Sequence, residues 1–333
     1  MAGTKVLVVD DSLTMRALIS GALERIPGVE VVGMADGAAE ARDLVASTRP
    51  DVMTLDVEMP GMSGLQYLAE IMETKPMPVI MFSTRTTEGA ADSIEALRLG
   101  AIDCFPKPRV AAPAELDAII AKLGKRLKAA KKTEIKPKAP PKTGKTAPID
   151  WNGRLLLAGG DASNTKSLFD LFGAFPENCP PTLVVQHLGP GLVASMAEKL
   201  AERVAPKVVI AADGMKVEQG TIYLAPQGDA HLIVDSWPNG TLRMLPKEPV
   251  AGERPSISLL FASAAKAATS NAVGVLMLDA NEDGAGGLRA LNAAGGYAFA
   301  PADGGGFTLT RGMVSQPVTT DALAAGVLKM CSK

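Results

Sequence analysis

Four charged side chains in the first third of the chain have the types that phosphoryl transfer requires. Asp10 and Asp11 follow one apolar run, Asp56 ends another, and Lys107 follows a third. Carboxylates that lie close together repel one another unless a cation joins them, and their hard oxygen atoms suit Mg²⁺. A divalent ion and an ammonium neutralise the charge that spreads over a transferred phosphoryl group. The set therefore predicts a magnesium site beside a carboxylate that accepts phosphate.

These side chains need a fold that gathers them. Short apolar runs alternate with helical patterns from residue 1 to about 124, which favours a doubly wound α/β domain with a five-stranded parallel sheet. Ser12 is the predicted cap of the first helix. The carboxyl ends of parallel strands meet at one edge of such a sheet, where ligands bind. The predicted strands are Lys5–Val9, Val29–Gly33, Asp51–Leu55, Pro78–Phe82 and Ala101–Phe105.

A hydroxyl group lies where it could report a new phosphoryl group. Ser83 comes directly after the fourth predicted strand, so its Oγ is placed to bond phosphate on a neighbouring strand end. Taken singly, a terminal aspartate is often a helix cap and Lys107 a solvated charge. Their occurrence at four strand ends, in order along the chain, favours a functional set.

Three motifs in this part resemble the flavodoxin-like receiver domain of bacterial two-component response regulators. They are Val-Leu-Val-Val-Asp-Asp-Ser, Thr-Leu-Asp-Val-Glu-Met-Pro-Gly-Met-Ser-Gly and Phe-Pro-Lys-Pro. The resemblance implies that a histidine kinase phosphorylates Asp56 and that Ser83 and Lys107 contact the phosphoryl group. The position that usually carries a switch aromatic is Cys104 here. The Mg²⁺ ligands that the resemblance implies are Asp10, Asp11, Asp56 and the backbone carbonyl of Glu58.

The chain changes character after the first domain. Residues 125–150 are rich in lysine and proline and have no sustained apolar period, so they cannot bury a core. This composition favours a solvated linker over a basic docking arm. Apolar strands then recur between helical segments, so we predict a second, Rossmann-like α/β domain over residues 151–333 and a first domain over 1–124. The strands expected there are Arg154–Ala158, Thr182–Gln186, Lys207–Ala211, Thr221–Leu224 and Val273–Leu278.

Net charge, apolar runs and cysteine spacing limit the partners and the compartment that we expect. The formal net charge of -2 gives no reason to expect nucleic acid. No apolar run approaches the roughly 20 residues of a membrane span, and no leader pattern precedes the first strand. Cys104, Cys179 and Cys331 are odd in number and widely spaced, which suits a reducing compartment. We therefore expect a cytoplasmic protein that is not embedded in a membrane.

The second domain resembles the catalytic domain of the protein-glutamate methylesterases of bacterial chemotaxis. The resemblance rests on Val-Val-Gln-His-Leu-Gly-Pro-Gly, on Gly-Thr-Ile-Tyr-Leu-Ala-Pro-Gln-Gly-Asp-Ala-His-Leu and on Glu-Arg-Pro-Ser-Ile-Ser-Leu-Leu-Phe. It implies that His187 is a catalytic base, that Asp283 orients it, and that methyl-accepting chemotaxis receptors are partners. His231 falls on no catalytic position. A lone histidine or aspartate at these places could equally be a bonded loop residue or a helix cap.

The loop that should carry a serine nucleophile carries an acid. The family's Gly-Ala-Ser-Thr-Gly-Gly aligns with residues 159–164, so Asp161 takes the nucleophile position. Attack by its carboxylate on an ester would give an anhydride, and the charge would be repelled by Asp283. The favoured interpretation makes Asp161 a cap for a helix that begins near Thr165, or a solvated charge. Asp279, Ala280 and Asn281 also replace the family's Gly-Met-Gly.

Two hypotheses follow for the whole chain. The first is a chemotaxis response regulator whose methylesterase-like domain is catalytically degenerate. The second is a working methylesterase, with glutamine deamidation as a further activity, that uses Ser163 or a water held by His187. The second is motivated by the retained His187 and Asp283.

Overall fold

The chain folds into two compact units. The computed structural model describes residues 3–84, 86–107, 122–124, 126–127, 147–277, 283–302, 314 and 316–333. The units are Met1–Ala139 and Pro140–Lys333. Most of the predicted linker, and residues 279–281, lie outside the described residues.

The first unit is a five-stranded parallel sheet with helices between successive strands. Its strand order is β2-β1-β3-β4-β5. This confirms the predicted fold, and each predicted strand lies within two residues of the observed one. The elements are β1 (Thr4–Val9), α1 (Leu13–Glu24), β2 (Val29–Ala35), α2 (Ala38–Thr48), β3 (Val52–Asp56), α3 (Gly64–Thr74), β4 (Val79–Ser83), α4 (Thr87–Leu99) and β5 (Asp103–Pro106).

Local sequence explains why helices follow the strand ends. Ser12 accepts a hydrogen bond from the backbone N–H of Met15, so it caps α1 as predicted. A capping box of Ser63 and Gln66 starts α3. A Cβ at Gly64 would lie 1.8 Å from the carbonyl oxygen of Asp56, so only glycine lets α3 begin this close to β3.

The second unit contains a seven-stranded sheet in the order β14-β13-β12-β6-β7-β9-β8, in which all pairs are parallel. A short antiparallel pair, β10 and β11, lies apart from it. The elements are β6 (Leu155–Asp161), α5 (Thr165–Gly173), β7 (Thr182–His187), α6 (Leu192–Ala201), β8 (Lys207–Ile210), β9 (Thr221–Leu224), β10 (His231–Val234), β11 (Leu242–Leu245), α7 (Ile257–Ala268), β12 (Ala272–Met277), α8 (Ala285–Ala293), β13 (Tyr297–Pro301), β14 (Gln316–Val318) and α9 (Thr320–Cys331).

The sequence prediction for this unit is right in class and incomplete in detail. Four strands, β10, β11, β13 and β14, were not predicted. The first strand was also predicted to end at Ala158, whereas β6 continues through two glycines to Asp161. It continues because Gly159 and Gly160 pair with β12 on one side and β7 on the other. Strand pairing therefore overrides the weak strand propensity of glycine.

A close contact ties β6 to α7. A Cβ built on Gly159 would lie 2.4 Å from Cγ2 of Ile257, the first residue of α7. The helix therefore packs directly on the strand backbone, and the core around it is buried. Within the described ranges, no helix has both the length and the apolar character needed to cross a bilayer.

Candidate functional site

Three carboxylates meet at the carboxyl edge of the first sheet. Asp10 and Asp11 follow β1, and Asp56 is the last residue of β3. Their carboxylate oxygens lie within 4.8 Å of one another. Asp10 and Asp56 are buried, whereas Asp11 is exposed. The parallel arrangement thus brings together the three acids that the sequence singled out.

Lys107 supplies a cation at the same edge. Its Nζ lies 2.7 Å from Oδ2 of Asp56 and 3.8 Å from Oδ2 of Asp10. Burial raises the pKa of Asp56 to about 6, since it outweighs the opposing effect of Lys107. Burial likewise raises the pKa of Asp10. The lysine therefore compensates only part of the cost of burying two carboxylates.

The donor set fits Mg²⁺. Oδ2 of Asp10 is buried and makes no hydrogen bond with any described residue, while Oδ1 accepts one from the backbone N–H of Ser12. The backbone N–H of Glu58 donates to Oδ1 of Asp56 at 3.3 Å, which places Glu58 beside the acids. Together with Asp11 and Met59 it lines an open cleft there. A buried, unsatisfied carboxylate oxygen next to two further carboxylates is what a hard cation would complete.

Ser83 lies at the end of β4, and its hydroxyl group contacts a residue of α4. Its Oγ lies 2.8 Å from Oγ of Ser93 on α4, and both side chains are buried. Cys104, on β5, is also buried, and its Sγ donates to the carbonyl oxygen of Ser93 at 3.3 Å. Burial raises the pKa of the Cys104 thiol. Ser93, which the sequence analysis did not identify, therefore bonds to both Ser83 and Cys104.

In the second unit, His187 and Asp283 form a pair. Nε2 of His187 lies 3.4 Å from Oδ2 of Asp283 and 3.1 Å from the carbonyl oxygen of Pro255. Nδ1 lies 3.9 Å from Oε2 of Glu253 and has no hydrogen-bond partner in the part of the chain described. Burial alone lowers the pKa of His187, but Asp283, Glu253 and the Pro255 carbonyl outweigh it, so that pKa is raised.

Asp283 also anchors the start of α7. It is fully buried and accepts hydrogen bonds from Ser256 Oγ at 2.8 Å, Ile257 N at 2.7 Å and Ser258 N at 3.0 Å. Burial raises its pKa, but the hydrogen bonds from His187 and from this backbone lower it by more. The carboxylate thus stays ionised at the amino end of a helix, where negative charge is favourable.

Asp161 bonds to the loop that follows it. Its Oδ1 accepts hydrogen bonds from Ser163 N at 3.0 Å, Ser163 Oγ at 2.5 Å and Asn164 Nδ2 at 3.2 Å. The side chain is buried and caps the short 3₁₀ helix Ala162–Asn164. The expected cap is therefore present one turn earlier than predicted, because Asn164 rather than Asp161 precedes α5.

Asp161 and His187 end neighbouring strands, since their Cα atoms are register partners in the β6–β7 pair. Among the described residues, no hydrogen bond joins His187 to Asp161 or to Ser163. Gln186, which the sequence analysis did not use, donates through Nε2 to the carbonyl oxygen of Asp161 at 2.5 Å. Its position next to His187 at a strand end was the signal that could have identified it.

His231 has a structural place behind the pair. Its Nδ1 accepts from the backbone N–H of Ser256 at 3.0 Å, and its Nε2 lies 3.0 Å from the carbonyl oxygen of Glu248. Since Ser256 Oγ in turn bonds to Asp283, His231 supports the loop that holds the acid. Ser256 was missed in the sequence, although a serine just before an apolar helical run is a recognisable cap.

Comparison with known proteins covers both units. Residues 6–121 match the response regulator receiver domain family, and residues 157–318 match the CheB methylesterase family. A protein-glutamate methylesterase/protein-glutamine glutaminase 1 of Rhizobium johnstonii is 42% identical over 88% of this chain and 85% of its own length. The protein of the same name from Caulobacter vibrioides is 42% identical over 89% and 86%.

A solved structure supports the second fold. The CheB methylesterase catalytic domain of Thermotoga maritima superposes with a TM-score of 0.51 at 22% identity, covering 54% of this chain and 99% of that domain. This likeness concerns the fold alone. Receiver and methylesterase units occur here in one chain that is similar to full-length relatives. The chain therefore belongs to the CheB-type protein-glutamate methylesterase family of chemotaxis response regulators.

Proposed function

We propose that this chain is a response regulator that a histidine kinase phosphorylates on Asp56. One oxygen of the Asp56 carboxylate attacks the phosphorus of a phosphohistidine, the P–N bond breaks, and the histidine nitrogen leaves with its electron pair. Lys107, 2.7 Å from Asp56, balances charge on the phosphoryl oxygens. Asp10, Asp11, Asp56 and the Glu58 carbonyl would hold Mg²⁺, which supplies positive charge to the transferred group.

Transfer of labelled phosphate from a phosphorylated chemotaxis kinase tests this assignment. Wild type should take up label in the presence of Mg²⁺, and Asp56→Asn should not. Asp51→Asn is a matched control, because Asp51 lies at the other end of β3 and bonds to Lys5 N. Label on Asp56→Asn at the wild-type level would contradict the assignment.

For the second unit we propose loss of covalent ester hydrolysis. The observation that carries this proposal is the environment of Asp161, whose carboxylate is buried and occupied by three donors of its own loop. A hydrolase of this kind needs a hydroxyl that a histidine can deprotonate. Among the described residues, the His187 ring bonds to neither Asp161 nor Ser163. Its Nε2 instead lies 3.4 Å from Asp283 and 3.1 Å from the Pro255 carbonyl oxygen, while Nδ1 has no hydrogen-bond partner within the described ranges.

The retained pair does not by itself argue for catalysis. Asp283 receives three hydrogen bonds from residues 256–258, so its loss would leave buried donors unpaired whether or not any ester is cleaved. His187 contributes to holding that carboxylate ionised. We therefore propose that the unit is kept as a binding or regulatory module, which occupies methyl-accepting chemotaxis receptors or competes for the kinase.

Methanol release from methylated receptor, measured on phosphorylated protein, is the decisive assay. We expect a rate at the uncatalysed background for wild type and no change in His187→Ala. Asp161→Ser then asks whether the remaining site is competent: a gain of hydrolysis would assign the loss to position 161 alone. Wild-type turnover far above background that His187→Ala abolishes would refute the proposal.

One observation favours the alternative of an active esterase or deamidase. Ser163 Oγ donates to the Asp161 carboxylate at 2.5 Å, so a hydroxyl with an adjacent base exists on this loop. The names of the relatives indicate hydrolysis of glutamate methyl esters and of glutamine side chains by those proteins. Under this alternative Ser163→Ala abolishes turnover. If turnover survives that change but needs His187, a water held by the imidazole is the nucleophile.

A cytoplasmic location is part of the proposal. Cys104, Cys179 and Cys331 are free and buried thiols in the described structure, which suits a reducing compartment. Fractionation of cells that express the full chain with an epitope tag checks it, and recovery with the periplasmic fraction would contradict it.

A further inference from the structure

The hydroxyl of Ser83 has a definite partner on α4. Ser93 Oγ donates its proton to the carbonyl oxygen of Gly89 at 2.7 Å, because a carbonyl can only accept. A serine hydroxyl has one proton, so Ser93 has none left for Ser83. In the 2.8 Å contact between the two hydroxyls, Ser83 is therefore the donor.

The same proton is what a phosphoryl group on Asp56 would require. Phosphoryl oxygens only accept hydrogen bonds, so a contact from Ser83 must use its one O–H. That O–H cannot be given to Ser93 and to a phosphoryl oxygen with good geometry at once. The two states of Ser83 are thus mutually exclusive.

Ser93 is well placed to hold its side of this contact. Ser83 and Ser93 are 5% and 2% exposed, so water does not replace a lost bond easily. The start of α4 lies close to the backbone after β4, since a Cβ on Gly89 would lie 2.3 Å from the carbonyl oxygen of Thr84. Cys104 Sγ bonds to the Ser93 carbonyl from the other side.

We propose that Ser93 is a positioning residue that holds the Ser83 proton in the unphosphorylated protein and competes with the phosphoryl group for it. Phosphorylation then costs the Ser83–Ser93 bond and releases one of the ties between β4 and α4. This inference rests on the proposed phosphorylation of Asp56. It assigns to a residue of α4 a direct influence on how readily the receiver is activated.

The test is the affinity for beryllofluoride, a phosphoryl mimic, in full-length protein with Mg²⁺, measured by ¹⁹F NMR titration. Ser93→Ala should raise this affinity by about three- to tenfold, the equivalent of one neutral hydrogen bond. Ser93→Cys, a weaker acceptor, should give an intermediate gain. Ser20→Ala, a buried serine on α1, is the matched control and should leave the affinity unchanged.

The same substitution in Ser83→Ala protein distinguishes competition for the Ser83 proton from a general destabilisation of α4. In Ser83→Ala protein, Ser93→Ala should have no further effect on beryllofluoride affinity, because the shared proton is already gone. Without Mg²⁺ or beryllofluoride, the two substitutions should be less than additive in the free energy of unfolding. The unfolding measurement also checks that each variant folds.

The outcomes separate the two proposals. An unchanged affinity in Ser93→Ala, or an equal gain in both backgrounds, overturns the role of Ser93. No binding of beryllofluoride by wild type refutes phosphorylation of Asp56 and the competition with it, while the unfolding measurements still report whether the two serines are coupled.

Discussion

Nε2 of His187 lies 3.4 Å from Oδ2 of Asp283, and the same carboxylate receives the backbone N–H groups that begin α7. The pair thus joins the end of β7 to the start of a buried helix. Such a pair contributes to stability even where no reaction uses it. The first two predictions measure that contribution.

Removal of the acid should cost far more than an ordinary surface change. Asp283→Ala leaves buried donors at Ser256, Ile257 and Ser258 unpaired, so we expect a loss of about 3 kcal/mol in the free energy of unfolding. Urea unfolding followed by circular dichroism measures it. Glu198→Ala, on α6, is the control for loss of an exposed acid. A loss below about 1 kcal/mol would show that Asp283 does not anchor α7.

The pair should also make stability depend on pH. The pKa of His187 is raised above 6.5 in the folded protein, so the folded state binds this proton more tightly than the unfolded state. The resulting stabilisation is complete below about pH 6.5 and is lost as pH rises through the folded pKa. The stability of wild type relative to His187→Gln should therefore fall from pH 6 to pH 9.

Urea unfolding of both proteins across this range, with the titration of the His187 ring followed by NMR, checks that prediction. Asp283 titrates in a separate window: its pKa is lowered, so its contribution is lost only as pH falls below 3.8 through the folded value. Glu253→Gln should bring the pKa of His187 down. A stability difference that does not vary with pH would contradict the assignment.

Magnesium should reverse the order of stability of wild type and the variant Asp10→Asn. Without metal, Asp10→Asn removes repulsion between buried carboxylates and should stabilise the protein by about 1 kcal/mol, because Asn still accepts from Ser12 N. Mg²⁺ at a hundred times its Kd should stabilise wild type by about 2.7 kcal/mol and the variant by much less.

Thermal unfolding in EDTA and in Mg²⁺ measures both states. Ca²⁺ at equal concentration is a useful comparison, since it prefers more ligands and longer bonds. Identical unfolding with and without Mg²⁺ would argue against a metal site at the acidic cluster.

The loop at Asp161 gives a prediction about capping. Asp161→Ala removes the acceptor for Ser163 N, Ser163 Oγ and Asn164 Nδ2 and should cost about 1–2 kcal/mol in the free energy of unfolding. Asp161→Ser keeps a good capping oxygen and should cost less than about 1 kcal/mol. Chemical denaturation compares them. Equal losses in the two variants would mean that helix capping does not account for an aspartate at position 161.

Sequence reasoning reached the first sheet and its three acids because both depend on local signals. Alternating apolar runs predict parallel strands, and parallel strands have their carboxyl ends at one edge. The partners of those residues were harder to foresee. Ser93 lies ten residues from Ser83 in sequence, and only the packing of α4 against β4 brings the two hydroxyls together.

In the second unit, too, local signals predicted some features, whereas those that depend on tertiary packing were missed. The strands that pair with β6 were predicted where they are continuous apolar runs, whereas β13, with its alanines, and the short β14 were missed. Their strand state depends on pairing with neighbours already in the sheet. The contacts of His187 with Glu253 and Pro255 span more than sixty residues, so no spacing rule reveals them.

The absence of a side chain at Gly159 has a consequence for any substitution at position 161. Ile257 occupies the space that a Cβ there would need, so the backbone bearing position 161 and the helix seated on Asp283 keep a fixed separation. Exchanging the residue at 161 alone leaves that spacing untouched. A substitution at 161 therefore changes the side chain while the distance between β6 and α7 stays the same. Even alanine at 159 would force that distance to change.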